Sequence, residues 1–203
     1  MNTYLVALFV HVVAVFGLIA AVAVTITCLA SAQRACETSV VRSWTAVAAG
    51  ADRAIPAVTA VILISAIYMV RDAWSWESGW IVVSLVEFGV LSVVGPAVNA
   101  RRFNAIHRLA AASPDGPVPP ALAKKLSDPV LGTSVRTMTA AMVGAAYLMV
   151  MKPSLAGSVT AIAVSVAFGL VASIPLLAGS RGTPAVRSAP VRRSSFGERI
   201  AGR

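Results

Sequence analysis

The stretch from Trp80 to Ala100, WIVVSLVEFGVLSVVGPAVNA, constrains the fold most, because it is a run of 21 mostly apolar residues in which Glu87 is the only charged one. An α-helix rises about 1.5 Å per residue, so about 20 apolar residues cross a hydrocarbon core of roughly 30 Å. Tryptophans cluster at its start, and Arg101 and Arg102 follow its end. Tryptophan is enriched at membrane interfaces and arginine on the cytoplasmic side. The stretch is therefore predicted to be a membrane-spanning helix that runs from outside to inside.

The composition predicts that the whole chain is a small polytopic membrane protein. It is 58% apolar and 12% charged, with a mean hydropathy of +0.81, which is too apolar for a soluble domain. We expect an all-α bundle over residues 1–179, followed by a basic, disordered cytoplasmic tail at 180–203. The apolar runs predict five transmembrane helices, at about 4–30, 54–70, 80–100, 133–151 and 155–178.

The segments between these spans carry their own signals. Residues 31–53 are too polar to cross and are predicted to form a loop, with a surface helix around Val40 to Ala49. Pro56 is expected in the first turn of the second span, where a missing N–H costs nothing. Residues 101–112 keep a helical pattern, so the third helix should project beyond the membrane. The sequence ALAKKLSD predicts a short helix, and the Gly95-Pro96 pair should kink or loosen the third helix.

The distribution of basic residues predicts the orientation. The first loop, the third loop and the tail together hold fifteen Lys and Arg residues, whereas the opposite side holds only Arg71 and Lys152. Basic residues favour the cytoplasmic side, so the N-terminus should lie outside and the C-terminus inside. This topology, with anionic lipids bound at the basic tail, accounts for the net charge of +9 without nucleic acid as a partner.

A polar cluster is predicted in the outer third of the membrane. His11 follows Tyr4 by seven residues and Glu87 follows Trp80 by seven, so each lies roughly 10 Å deep if both helices start at the outer face. Arg71, Asp72 and Lys152 lie at the same side. A contact between His11 and Glu87 is expected if the first and third helices are neighbours.

Two interpretations of this cluster stay open. In the structural one, the two side chains satisfy each other and fix helix packing. In the functional one, they bind a proton, an ion, a lipid headgroup or a metal such as copper, with thioethers from Met69, Met149 and Met151 nearby. The spacing of the histidines and cysteines predicts no metal site and no cofactor. His107 lies beyond the third span, so it cannot pair with His11 on one haem.

Small residues recur every four positions along the fifth span, at Gly157, Ala161, Ser165, Gly169 and Ser173. Such a stripe lets two helices approach closely in a membrane. The turn at Lys152 and Pro153 makes the fourth helix the expected neighbour, through Thr137, Ala141 and Gly144 or Ala145. A second chain is the alternative.

Three sequence segments resemble a known family. LFVHVVAVFGLIA, VVGPAVNARR and AAYLMVMKP are similar to segments of a bacterial family of predicted integral membrane proteins, domain of unknown function 2269. The resemblance covers about residues 4–153 and leaves out the fifth helix and the tail. It implies a small helical bundle in the inner membrane, and it brings no activity to transfer.

We therefore expect a non-catalytic accessory or assembly subunit of a larger bacterial envelope complex, multi-pass in the cytoplasmic (inner) membrane, with other membrane-protein subunits as partners. The chain has no Walker loop, GxSxG or HExxH motif and no paired intramembrane aspartates, so an enzyme is disfavoured. The alternative is a small transporter or sensor that uses His11 and Glu87.

Overall fold

The structure, a computed structural model, describes residues 2–175. Within this range the chain consists of helices joined by short turns and contains no strand, in agreement with the all-α prediction. The predicted tail at 180–203 lies outside the described residues, and so do positions 176–178 of the predicted fifth span.

Seven α-helices and one π-helical segment make up the described part of the chain. They are α1 (Thr3–Arg34), α2 (Thr38–Ala73), α3 (Gly79–Val94), the π segment (Gly95–Ala100), α4 (Arg101–Ala112), α5 (Pro120–Leu126), α6 (Pro129–Met151) and α7 (Leu155–Val171). Four helical stretches, Thr3–Arg34, Thr38–Ala73, Gly79–Ala112 and Pro120–Met151, are long and apolar enough to cross a membrane. The apolar helix α7 has 17 residues, which is near the lower limit for a span.

The prediction of a loop at 31–53 is wrong, because α1 continues to Arg34 and α2 begins at Thr38. The helix predicted around Val40 to Ala49 does form, but as part of α2 and with one face buried. Val41, Thr45 and Ala48 are fully buried. Their spacing of four and three residues gives the start of α2 an inward face, which stabilises a helix despite the charged residues on its other sides. Pro56 consequently lies in the middle of α2 rather than in a first turn. There it removes one backbone hydrogen bond, and the helix continues through it.

The predicted extension of the third helix is confirmed. The chain stays helical from Gly79 through the π segment to Ala112, and the short helix α5 also forms where it was expected. The π segment begins at Gly95-Pro96, where loosening was predicted. Proline has no N–H for the regular helical ladder, and a wider turn accommodates that gap.

The main buried core lies at the α4–α5 end of the molecule. We call this region the cap; it comprises the end of α1, the start of α2, α4, α5 and the start of α6. Its core side chains are Cys28, Leu29, Ala32, Val41, Ala48, Phe103, Ile106, Ala110, Leu122, Leu126 and Leu131. Large apolar side chains elsewhere on α1, α2, α3, α6 and α7 are exposed, which is expected for helices surrounded by lipid.

The opposite end carries the aromatic residues that were predicted to line one membrane face. The rings of Trp74 and Trp80 pack edge to face with their centroids 5.3 Å apart. The Trp74 Nε1–H donates to the Tyr4 hydroxyl at 3.4 Å, and the ammonium of Lys152 lies 4.2 Å from the centroid of the Trp74 ring. Trp74 therefore joins α1, α3 and the end of α6.

Between these two ends the helices form two groups. One group is α1 packed along α2, and the other is α6 packed along α7 with α3 lying against both. The groups meet mainly at the cap and at Trp74.

Candidate functional site

His11 is buried in the contact between α1 and α2, with 5% of its surface exposed. Its Nδ1 atom lies 3.2 Å from the carbonyl oxygen of Ile62 and 3.1 Å from the Ser65 hydroxyl. The Ser65 hydroxyl is 2.6 Å from the Val61 carbonyl and donates its one hydrogen within its own helix. It is then free to accept a hydrogen from Nδ1 of His11, so the histidine joins α1 to α2.

The predicted contact between His11 and Glu87 is wrong. His11 bonds to α2, whereas α3, which carries Glu87, packs against α6 and α7. Counting residues from the interface gives the depth of a side chain in a helix but says nothing about which helices are neighbours. The imidazole and the carboxylate consequently belong to different helix groups.

Glu87 is the most unusual side chain in the described part of the chain. It is 7% exposed, and both of its carboxylate oxygens are buried without a hydrogen-bond partner among residues 2–175. Ser84, one turn earlier on α3, has a buried hydroxyl in the same condition. A buried carboxyl without partners is costly and is a functional candidate when it lies inside a membrane.

Other buried polar atoms without partners lie in the π segment that follows α3 and on α6, which packs against α3. Within residues 2–175 they are the side-chain oxygens of Asn99 in the π segment and of Thr133 and Thr137 on α6. The amide of Asn99 donates to the sulfur of Met138 at 3.1 Å, and a Cβ on Gly95 would lie 3.3 Å from the methyl carbon of Met138. The π segment therefore packs on α6 through Met138, and π segments are common at functional sites.

The other members of the predicted outer cluster lie apart from Glu87. Arg71 and Asp72 are exposed at the end of α2, and Lys152 lies over Trp74. Lys152 also has a left-handed backbone, with φ of 48°, which allows the tight turn between α6 and α7. The five residues of the predicted cluster therefore lie in three separate places. His11 is in the contact between α1 and α2, Glu87 is buried on α3, and Arg71, Asp72 and Lys152 are at the exposed end that carries Trp74.

Part of the small-residue stripe of α7 faces α6. A Cβ added to Gly169 would lie 2.6 Å from the Thr137 Cα, and one added to Gly144 would lie 2.7 Å from the Ser165 hydroxyl. Ser173 is fully buried, whereas a Cβ on Gly157 would meet only Pro153 and Ser154. The stripe thus contacts helix α6 of the same chain through Ser165 and Gly169.

Sequence reasoning missed the polar contacts that hold the cap together. Arg42 donates to the carbonyl oxygens of Ala110 and Ser113 and forms an ion pair with Asp115. His107 lies 3.2 Å from the Thr45 hydroxyl. One sequence pattern could have indicated that α4 packs in a core. Apolar residues at Phe103, Ile106 and Ala110, spaced three and four residues apart, give α4 an apolar face that needs a partner helix, and all three are buried.

The long apolar helices define the class of the protein: an integral membrane protein with several apolar helices. Residues 5–153 match the family described as predicted integral membrane protein DUF2269. The chain belongs to this family, which confirms the resemblance found in the sequence. Comparisons with curated proteins and with solved structures give no match.

Proposed function

We propose that the protein is a non-catalytic accessory or assembly subunit of a larger envelope complex in the bacterial cytoplasmic membrane. The observation that carries this proposal is the division of the helices into two groups that meet mainly at their ends. The buried core lies in the cap, whereas the apolar side chains of the membrane helices are largely exposed. Helices of other subunits could cover these exposed side chains.

The proposed topology has five crossings, with the N-terminus outside and the cap in the cytoplasm. The fifteen to two division of Lys and Arg supports this orientation. Helix α7 supports a fifth crossing, because it starts at the same end as α3 and packs along α6. Its 17 residues span about 25 Å.

Site-specific photo-cross-linking in cells tests the accessory role. Phe9 and Phe168 are 68% and 71% exposed on α1 and α7, so a photoreactive phenylalanine analogue replaces them with little disturbance. We expect a discrete adduct with another membrane protein from at least one of these positions. The matched control is Phe103, which is 6% exposed in the cap core and should give none.

Two outcomes would contradict the accessory role. Cross-links to lipid alone from both exposed positions would indicate that the helices face only the bilayer. An adduct of twice the chain mass of 20.9 kDa would indicate self-association instead.

The buried carboxyl of Glu87 favours a second candidate function, a small transporter or sensor. Since His11 is engaged with Ser65, this function now depends on Glu87 and Ser84 rather than on a His/Glu pair. The contacts of His11 add no support for a copper site.

Proton uptake into proteoliposomes tests this second function. Glu87→Gln keeps the shape of the side chain but removes its charge, and it should abolish uptake if Glu87 carries the proton. Glu77→Gln, in the exposed turn before α3, is the matched control and should leave uptake unchanged. If neither the wild-type protein nor the Glu87 variant moves protons, Glu87 is not a proton carrier.

A further inference from the structure

An open groove of about 590 Å³ lies in the cap between α4 and α5. Arg101, Arg108 and Lys125 line it together with the apolar side chains of Ala105 and Leu109. A second concavity of about 300 Å³ shares Arg101 and Lys125 with it and adds Arg102 and the Asp128 carboxylate that is paired with Arg102. The two concavities form a single basic surface, which we call the basic groove.

The basic residues of the groove are available to a ligand. The ion pairs within residues 2–175 join Arg42 to Asp115 and Arg102 to Asp128, so Arg101, Arg108 and Lys125 take part in neither. Arg101 and Arg108 are seven residues apart and therefore lie on the same face of α4. The opposite face, with Phe103 and Ile106, is buried in the cap. One face of α4 thus presents two cations beside the apolar side chains of Ala105 and Leu109.

The position of the groove along the chain points to the membrane surface. In the topology proposed above, Arg101 directly follows the apolar run from Trp80 to Ala100, whose 21 residues span about 31 Å. Lys125 lies in the last turn of α5, just before α6 turns back. Helical side chains also lean toward the helix N-terminus, which directs the arginines of α4 toward the bilayer.

We propose that the basic groove binds the headgroup of an anionic phospholipid of the cytoplasmic leaflet. Its cations match the net negative charge of such a headgroup, whose phosphodiester is not neutralised by an ammonium group as it is in phosphatidylcholine. Ala105 and Leu109 provide an apolar lining for the glycerol and the first acyl carbons. Basic pockets beside membrane helices on the cytoplasmic side bind anionic headgroups in this way. This site lies within the described helices and is separate from the basic tail.

Native mass spectrometry of the purified full-length chain tests the groove. After delipidation, the protein is offered either dioleoylphosphatidylglycerol or dioleoylphosphatidylcholine, and the retained lipid is measured. The wild type should retain phosphatidylglycerol preferentially. A basic residue near the surface contributes about fivefold to such binding, so the double variant Arg101→Gln/Lys125→Gln should lower the preference by about 25-fold.

The matched control is Arg34→Gln/Lys124→Gln, which removes two exposed cations from the same end of the molecule without changing the groove lining. It should keep the preference. If it loses the preference as fully as the groove variant does, lipid binding follows general charge and the proposed site is wrong. If the groove variant does not fold, Arg108→Gln replaces it, since Arg108 is exposed and outside both ion pairs.

A competition experiment distinguishes a bound lipid from a bound free phosphate ion. Millimolar inorganic phosphate should leave the bound phosphatidylglycerol in place, because the phosphate ion gains nothing from the apolar lining. Complete displacement by phosphate would overturn the lipid assignment in favour of a soluble anion, and equal retention of both lipids by the wild type would overturn the site itself. Labelling of Cys36 in oriented vesicles checks the topology separately.

Discussion

At the scale of single residues, the hydrogen bond between His11 and Ser65 ties α1 to α2 inside an apolar environment. Ser65→Ala removes one acceptor and leaves the carbonyl of Ile62. Interhelical hydrogen bonds in membranes contribute about 1 kcal/mol, so the free energy of unfolding should fall by about that amount. Thermal unfolding in detergent measures it. Ser39→Ala, at a partly exposed position of α2 that faces no other helix in this way, should change stability much less, and an equal loss would contradict a specific bond.

Glu87 differs from His11, because its buried carboxylate oxygens have no hydrogen-bond partner among residues 2–175. Replacing it with methionine, which has a similar shape and no polar atom to desolvate, should raise the free energy of unfolding by about 1–3 kcal/mol. The same detergent unfolding assay measures this gain. A loss of stability would show that the carboxyl has a stabilising partner. A gain in stability would mark Glu87 as a residue retained for function at the expense of stability.

At the scale of helices, the close approach of α6 and α7 depends on residues without a Cβ. Gly169→Ala would place its new carbon 2.6 Å from the Thr137 Cα, and such overpacking typically costs about 1–3 kcal/mol. Gly89→Ala is the matched control, because nothing lies within 4 Å of its added carbon. It should be neutral or stabilise α3 by up to about 1 kcal/mol. Unfolding of both variants in detergent compares them, and equal effects would contradict the packing.

Helix positions along the chain were largely predictable, whereas helix neighbours were not. The apolar runs indicated where α3, α6 and α7 lie, and the turn at Lys152 indicated that α6 and α7 pair. The helix that packs against α1 could not be predicted. The residue number gives the depth of a side chain in the membrane, whereas the neighbours of a helix depend on contacts between residues that are distant in sequence. The start of α2 was misjudged for a related reason, since its charges were visible but the cap that buries Val41 and Thr45 was not.

At the scale of the whole molecule, the cap fixes the relation between the two helix groups. Its core joins α1 and α2 to α4, α5 and α6, and Arg42 bonds to the end of α4 and to the turn that follows it. The Trp74 contacts join the groups at the other end. Between these two ends the groups share few contacts, and the proposed accessory role depends on this arrangement.

The orientation of this arrangement can be tested with a cysteine that the chain already has. Cys36 is exposed beside the cap, and Cys28 is buried. With the cap in the cytoplasm, a membrane-impermeant maleimide should label Cys36 in inverted membrane vesicles but not in right-side-out vesicles. Ser75→Cys, placed in the exposed turn before α3 on a Cys36→Ser background, should give the reverse pattern. Labelling of Cys36 in right-side-out vesicles would invert the topology and place the basic groove on the outer surface of the membrane.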